Sequence, residues 1–279
     1  MSDVAVTAAA PAEGAFRPVT ILVVAATGIL AFAAMLILGA YAPDLRSGRN
    51  GGAHALSNAA TGFSGIVRLA RATGRNPRIV RSKDLLATED LVVLTPESGA
   101  ADLTEILARR STRPTLVVVP KWRTLPDPAR AGWVLAAGLV PPWDVEHVLA
   151  PAHRLRVARA GRGGGRLSTL PAEAPEQMRF VAPGRPQTVS GPGLKPILAD
   201  PAGRAVLVRF GDRPLYLLAD PDLLSNRGMA DRRQAAAALA MLEYLNATGA
   251  QSIVFDVTLN GFGRSRSPLR LIFDPPFLA

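Results

Sequence analysis

At 279 residues the chain has room for one sizeable domain and an anchor, and with 48% hydrophobic and 19% charged residues it is neither a disordered chain nor a multi-span membrane protein. The formal net charge is +10, but the basic residues are scattered and almost all arginine, and aromatics make up only 5%, which argues against a nucleic-acid surface. Cysteine is absent and histidine is limited to His54, His147 and His153, which excludes thiolate chemistry, disulfides and Cys- or His-rich metal sites.

Residues 1–17, rich in Ala and Pro, are expected to be a disordered tail. Residues 18–42 read as one transmembrane helix: "VTILVVAATGILAFAAMLILGAYA" carries no charge and as a helix is about 36 Å long, enough to cross a bilayer core. A cleaved signal peptide fits less well, because the apolar run exceeds the roughly 7–15 residues of a signal core and Pro43 directly follows the small-residue "AYA". Arg17 and the terminal amine in front and Arg46 and Arg49 behind nearly balance, so the flanking charge sets no orientation. Residues 43–53 are a polar linker, and 54–279 form the folded domain.

Leu56, Ala60, Phe63, Val67 and Ala70 recur at helical spacing, which predicts a first helix stopped by Gly74, with His54 a solvated residue near its start. "PRIVRS" (77–82) and "DLVVLTP" (90–96) read as strands, followed by a helix carrying Leu103, Ile106 and Leu107 on one face. "PTLVVVPKW" (114–122) is a continuous apolar run, the mark of a strand buried on both faces. From about 152 to 210, short segments broken by Gly, Pro and Asp-Arg turns predict an inserted β meander, and "PLYLLAD" (214–220) returns the chain to the central sheet. A helix begins near Asp231, where Asp-x-x-Gln (231–234) forms a capping-box pattern, and Gly249 ends it before a last strand, "SIVFDVT" (252–258). Strands alternating with helices imply a mostly parallel sheet covered by helices. Trp122, Trp133 and Trp143 fall mid-chain, and an exposed cluster of them would point to a partner surface.

Familiar catalytic signatures are missing. "GFSGI" (62–66) has Ile66 where a nucleophile elbow needs its last glycine. "GRGGGRLST" (161–169) lacks the spacing and lysine of a phosphate loop. No H-E-x-x-H is present. What remains is polar residues at strand ends: Asp220, Asp222, Ser225 and Asn226 after one strand, Asp256 and Asn260 after another. If the two strands are neighbours in a parallel sheet, these six converge on its carboxyl edge, where open α/β sheets bind ligands. They also have the composition of Asx turns and helix caps.

"GAHALSNAATGFSGIVRL", "DLVVLTP", "LVVVPKW", "LLADPDLLSNRG", "SIVFDVTLNGFGRSRS" and "LRLIFDPPFL", in that order, resemble the bacterial family known as domain of unknown function 4350 over about residues 44–279. The resemblance implies a glutamine-amidotransferase-like, flavodoxin-like three-layer α/β fold. Amidotransferases of that kind use Cys-His-Glu, and with no cysteine their chemistry is not inherited. Members often carry an acid and a histidine after the last core strand, where this chain has Val257 and Asn260. They usually have one transmembrane helix before the domain and another after it, and are often encoded beside MoxR-type ATPases. Here "DPPFLA" (274–279) ends the chain where a second helix would be entered, with Arg264, Arg266 and Arg270 placed to meet lipid head groups.

The expectation is therefore a single-pass protein of the bacterial cytoplasmic membrane whose soluble domain is extracytoplasmic. It would act as a non-catalytic α/β binding or scaffold domain with protein partners in a membrane assembly, with a MoxR-type ATPase system, without nucleic acid, metal or cofactor. The alternative is a hydrolase-like or transferase-like enzyme using Asp220, Asp222 and Asp256 with a divalent metal.

Overall fold

The computed structural model describes residues 18–45, 51–130, 133–161, 164–246 and 249–263. The N-terminal tail, residues 46–50 of the linker, the three C-terminal arginines and the chain end lie outside the described residues. Two units are distinguished, one containing the first helix and the other spanning residues 46–265.

The first unit's helix, α1, is Pro18–Leu45. Its Pro18–Leu38 stretch is long and apolar enough to cross a membrane, with Val19, Leu22, Ile29 and Leu30 exposed. Pro18 at the helix start costs nothing, because a first-turn N–H has no intrahelical partner anyway.

The second unit is an α/β fold. Its first half contains α2 (Ser64–Ala72), β1 (Asn76–Val80), β2 (Leu91–Leu94), α3 (Thr104–Arg109) and β3 (Thr115–Val118). A hairpin of β4 (Trp122–Pro126) and β5 (Val134–Leu139) follows, then α4 (Pro142–His147). The insertion supplies β6 (Arg156–Arg159), β7 (Ser168–Thr169), β8 (Gln187–Ser190), β9 (Leu194–Ala199) and β10 (Ala205–Phe210). After the insertion come β11 (Leu215–Leu218), α5 (Arg232–Leu245) and β12 (Ser252–Asp256).

The main sheet runs β1-β12-β2-β3-β11-β10-β9-β7. The first five are joined by parallel pairings, and β10, β9 and β7 extend them antiparallel. The insertion therefore continues the main sheet through β7, β9 and β10, while β6 and β8 pair separately.

Side chains alternate across the parallel strands, as the two-residue strand period requires. Leu91, Val93, Leu116, Val118, Ile253 and Phe255 pack with Ile66 and Val67 of α2 and Met241 and Leu242 of α5. Val92, Leu94, Val117, Leu217 and Val254 pack instead with Ile106 of α3 and Val145 of α4. Both faces are thus covered, which explains why these strands read as unbroken apolar runs. Beneath the amino ends of β2 and β3 the buried Arg110 guanidinium donates to Thr115 Oγ1 (3.0 Å) and to the carbonyls of Leu86, Thr88, Asp90 and Pro114, using its whole donor fork.

Three expectations are corrected. The first helix starts at Ser64, not near Leu56, because residues 54–62 turn back on themselves: the N–H of Phe63 donates to the His54 carbonyl, and at Gly62 a Cβ would meet the Ser57 carbonyl oxygen at 2.3 Å. His54, expected in solvent, is fully buried with its ring 4.7 Å from that of Phe262. Asp231 does cap α5, accepting from the N–H groups of Arg233 and Gln234, but Gln234 bonds the backbone of Val181 in the insertion, so the reciprocal half of the box is not made.

In chain order the five parallel strands lie 1-5-2-3-4, whereas a flavodoxin-like sheet is ordered 2-1-3-4-5. The two orders coincide when β12 is counted first.

Candidate functional site

Neighbouring parallel strands end together. Leu218 of β11 is in register with Val118 of β3, so Asp220 and Lys121 leave the carboxyl edge side by side. Lys121 Nζ donates to both oxygens of Asp220 (2.9 and 2.8 Å) and to Oδ2 of Asp222 (2.7 Å). The Lys121 and Asp220 side chains are 0% exposed and that of Asp222 13%, so the cluster has almost no solvent to screen it.

The remaining lone pairs of Asp220 are also occupied, while Asp222 keeps some free. Asp220 accepts from the backbone N–H groups of Asp222 (3.0 Å) and Gln187 (2.8 Å). Asp222 Oδ1 accepts from the Trp122 indole N–H at 2.7 Å. Gln187, at the start of β8, donates its amide to the carbonyls of Pro120 and Ala219 and accepts from Arg159 Nε. The insertion thus furnishes a polar bolt that ties the ends of β3 and β11 together. Burial pushes Asp220 up to about 6, against the pull of Lys121.

Above this cluster lies a cavity of about 490 Å³. Its walls come from the loops after β2 (Thr95, Glu97), β3 (Lys121, Trp122) and β11 (Asp222, Ser225), from residues 52–63, and from Trp143 at the start of α4. Such crevices at strand carboxyl ends are the usual ligand positions of open α/β sheets. Three cavity-lining hydroxyls, those of Thr61, Thr95 and Ser225, are buried without a hydrogen-bond partner. An unmade buried hydrogen bond costs about 1–3 kcal/mol, so ordered water or a bound molecule that met these three would be favoured here.

The six residues singled out in the sequence have separate positions. Asp222 and Ser225 line the cavity, and Asp220 lies directly beneath it. Asn226 clamps the loop before α2: its Oδ1 accepts from Gly65 N at the helix start, and its Nδ2 donates to the carbonyls of Ser57 and Ala59. Asp256 folds back to accept from Thr258 and Leu259 N–H, and burial raises its pKa. Asn260 donates to the Thr95 carbonyl and to Glu97, bracing one rim of the cavity. Glu97, exposed at that rim, still has its pKa raised by the crowding around it, against its bonds with Asn260 and Ala53.

The expected convergence is therefore incomplete. β2 and β3 stand between β12 and β11, and three strand spacings put their ends about 14 Å apart. Asp256 does not join Asp220 and Asp222, and the cation between those two is a lysine of the chain. Among the described residues no group of three His, Cys, Asp or Glu could hold a metal. Sequence reasoning missed Lys121 and Gln187. Lys121 offered a signal, being one of three lysines in an arginine-rich chain and placed directly after a buried strand; Gln187 offered none.

The chain matches the family model described as "Domain of unknown function (DUF4350)" over residues 55–242. No curated protein matches it. Among solved structures, a β-galactosidase from the psychrophilic Marinomonas ef1 is similar at 17% identity and a TM-score of 0.33, covering 56% of this chain and 20% of that one. The chain thus spans about a fifth of that enzyme's length, and a likeness this low carries nothing about activity.

Proposed function

Because this chain belongs to the DUF4350 family, whose description assigns no activity, we propose its function from the site itself: a membrane-tethered, non-catalytic α/β domain that binds a small ligand, or a side chain of a protein partner, at the carboxyl edge of its sheet. The observation that carries this reading is the cavity with its three buried, unpartnered hydroxyls, set beside a carboxylate that an ammonium and an indole N–H hold in place. Asp222, fixed by an ammonium and an indole N–H, offers its remaining face to hydroxyl or ammonium donors, and Thr95 and Ser225 can both give and accept. The ligand class is therefore a neutral polyol or a primary amine rather than an anion.

Binding without turnover is favoured by how fully the cluster is used. Lys121 directs its hydrogen bonds to three carboxylate oxygens and points none into the cavity, and every oxygen of Asp220 is occupied. The fold is read as a flavodoxin-like, amidotransferase-like architecture whose first strand has moved to the end of the chain as β12. The wider setting follows from the family resemblance: α1 in the bacterial cytoplasmic membrane, the α/β unit outside the cytoplasm, and an assembly served by a MoxR-type ATPase.

The test is a thermal-shift panel on the full chain in detergent micelles, using galactose, maltotriose, spermidine, ATP, Mg²⁺ and Ca²⁺. A saccharide or amine is expected to stabilise the wild type, by about 2.7 kcal/mol at a hundred times its Kd. That gain should vanish in Asp222→Asn and weaken in Ser225→Ala, whose own stability stays within about 1 kcal/mol of the parent because its hydroxyl has no partner to lose. Stabilisation only by a nucleotide or metal, or none at all, would sink the reading. Turnover of the stabilising compound that depends on Asp222 would favour the enzyme alternative.

A further inference from the structure

The β4–β5 hairpin stands apart from the main sheet as a two-stranded ribbon, a form with little stability of its own in water. One face is seated: at Gly51 a Cβ would meet Val134 Cγ1 at 2.2 Å, and Val134 pairs with Pro126. The opposite face holds the cross-strand pair Leu125 and Leu135, which are 60% and 52% exposed, with Trp133 beside them at 60%. Arg130 lies over the Trp133 ring at 5.1 Å, and Arg123 precedes Leu125 by two residues, also exposed. The hairpin's one acid, Asp127, accepts from Ala129 N–H at 2.8 Å in a local turn.

Apolar side chains at the tip of a ribbon, an exposed tryptophan and flanking arginines are the composition of a segment at a bilayer interface: aliphatic groups enter the acyl boundary, the indole sits at the headgroup level, and guanidinium groups meet lipid phosphates. Two exposed arginines against one acid leave the apolar face with a positive rim, which an anionic lipid surface matches better than the face of a second copy carrying the same charges. We propose that the β4–β5 hairpin docks onto an anionic lipid surface through Leu125, Trp133 and Leu135, with Arg123 and Arg130 on the headgroups. The bilayer concerned is the one that holds α1, so the proposal rests on the reading of α1 as a membrane helix. Because β4 begins at Trp122, which donates to Asp222, a hairpin held on lipid would also steady one wall of the cavity.

The chain has no cysteine, so a single introduced thiol reports one position without background. The full chain carrying Leu125→Cys, or in parallel Val181→Cys at an exposed site outside the hairpin, would be labelled with the fluorophore NBD and reconstituted into vesicles of POPC and POPG at 3:1. Flotation after an alkaline carbonate wash reads α1 insertion separately. The expected result is a blue-shifted Leu125→Cys label quenched by nitroxide-bearing lipid and shielded from iodide, with the Val181→Cys label showing the reverse. Replacing Arg123 and Arg130 by Gln should lower the ratio of docked to free hairpin about fivefold per residue. A Leu125→Cys label that stays open to iodide in chains that float overturns the hairpin proposal alone. Shielding that appears only as protein density rises assigns the face to a second copy and also overturns it. Chains that do not float overturn the anchor and the proposal together.

Discussion

The ends of β11 and β12 begin as the same local event, a buried parallel strand that runs into an aspartate, yet they become different things. Asp256 turns onto the two N–H groups that follow it and becomes a cap. Asp220 also accepts from the N–H two residues on, but its second oxygen reaches Gln187 of the insertion, and both reach Lys121. What differs is the neighbour. β11 lies beside β3, whose chain continues into Lys121, close enough to bond both oxygens; β1 beside β12 also continues into a lysine, Lys83, but its ammonium bonds Glu105 and reaches Asp256 only through its charge. An acid at a strand end is given its role by the adjacent strand, which its own sequence does not reveal.

The largest effect expected at the β11 end is from Lys121→Met. Without the ammonium two carboxylates face each other in a buried site, and denaturant unfolding at neutral pH should lose about 3–5 kcal/mol. Part should return on acidification, as the pair takes up a proton. Wild-type stability at pH 7 would show that the ammonium does not hold this end together.

Titration separates the two ends further. Burial lowers His54, whose ring lies tilted against that of Phe262 beyond β12, from 6.5 to about 4. Between those values the unfolded chain binds the proton and the folded chain does not, so His54's contribution is full above about pH 6.5 and is lost as pH falls towards 4, amounting to about 3 kcal/mol. Asp220, raised from 3.8 to about 6, acts with the opposite sign, since the folded chain holds its proton longer and stability falls as pH rises from about 4 to 6. In His54→Phe the rising term is removed, so stability measured between pH 4 and 6.5 should gain less, or fall more, with rising pH than it does in the parent. An unchanged slope would mean that His54 titrates alike in both states.

The smallest effect sharpens the contrast. Asp256→Asn keeps one acceptor for the turn and relieves a buried charge, so it should cost about 1 kcal/mol or less in the same assay. It should leave ligand-induced stabilisation intact, unlike Asp222→Asn. Loss of that stabilisation would make the β12 end part of the site after all.

The parallel strands were legible because each is an apolar run bounded by turn residues, and Asp231 was legible as a cap because the first-turn N–H groups demand one. Residues 54–62 were misread because Leu56 and Phe63 face the core from a tight loop, with Ala60 between them exposed, and the path of that loop depends on the missing Cβ of Gly62 and on Asn226, more than 160 residues away. The site was half legible for a similar cause. Asp222 and Ser225 could be placed from the strand before them, but the partners that give Asp220 its meaning, Lys121 and Gln187, arrive through sheet order and an insertion that no local pattern encodes.

The position of β12 has a consequence for how the chain comes off the ribosome. β1 has β12 as its sheet neighbour, and β12 also fills the slot between β1 and β2. A nascent chain therefore carries β1 without its partner, and β2 with one open edge, through the synthesis of the hairpin, the insertion and α5. Pairing a strand near residue 80 with one near 255 is a high-contact-order closure, the slow kind, and leaves strand edges available to wrong partners meanwhile. The unit can complete itself only when nearly all of it has been made, so a chain stalled before residue 252 would present a cleft one strand wide, the feature by which quality control could tell it from a finished molecule.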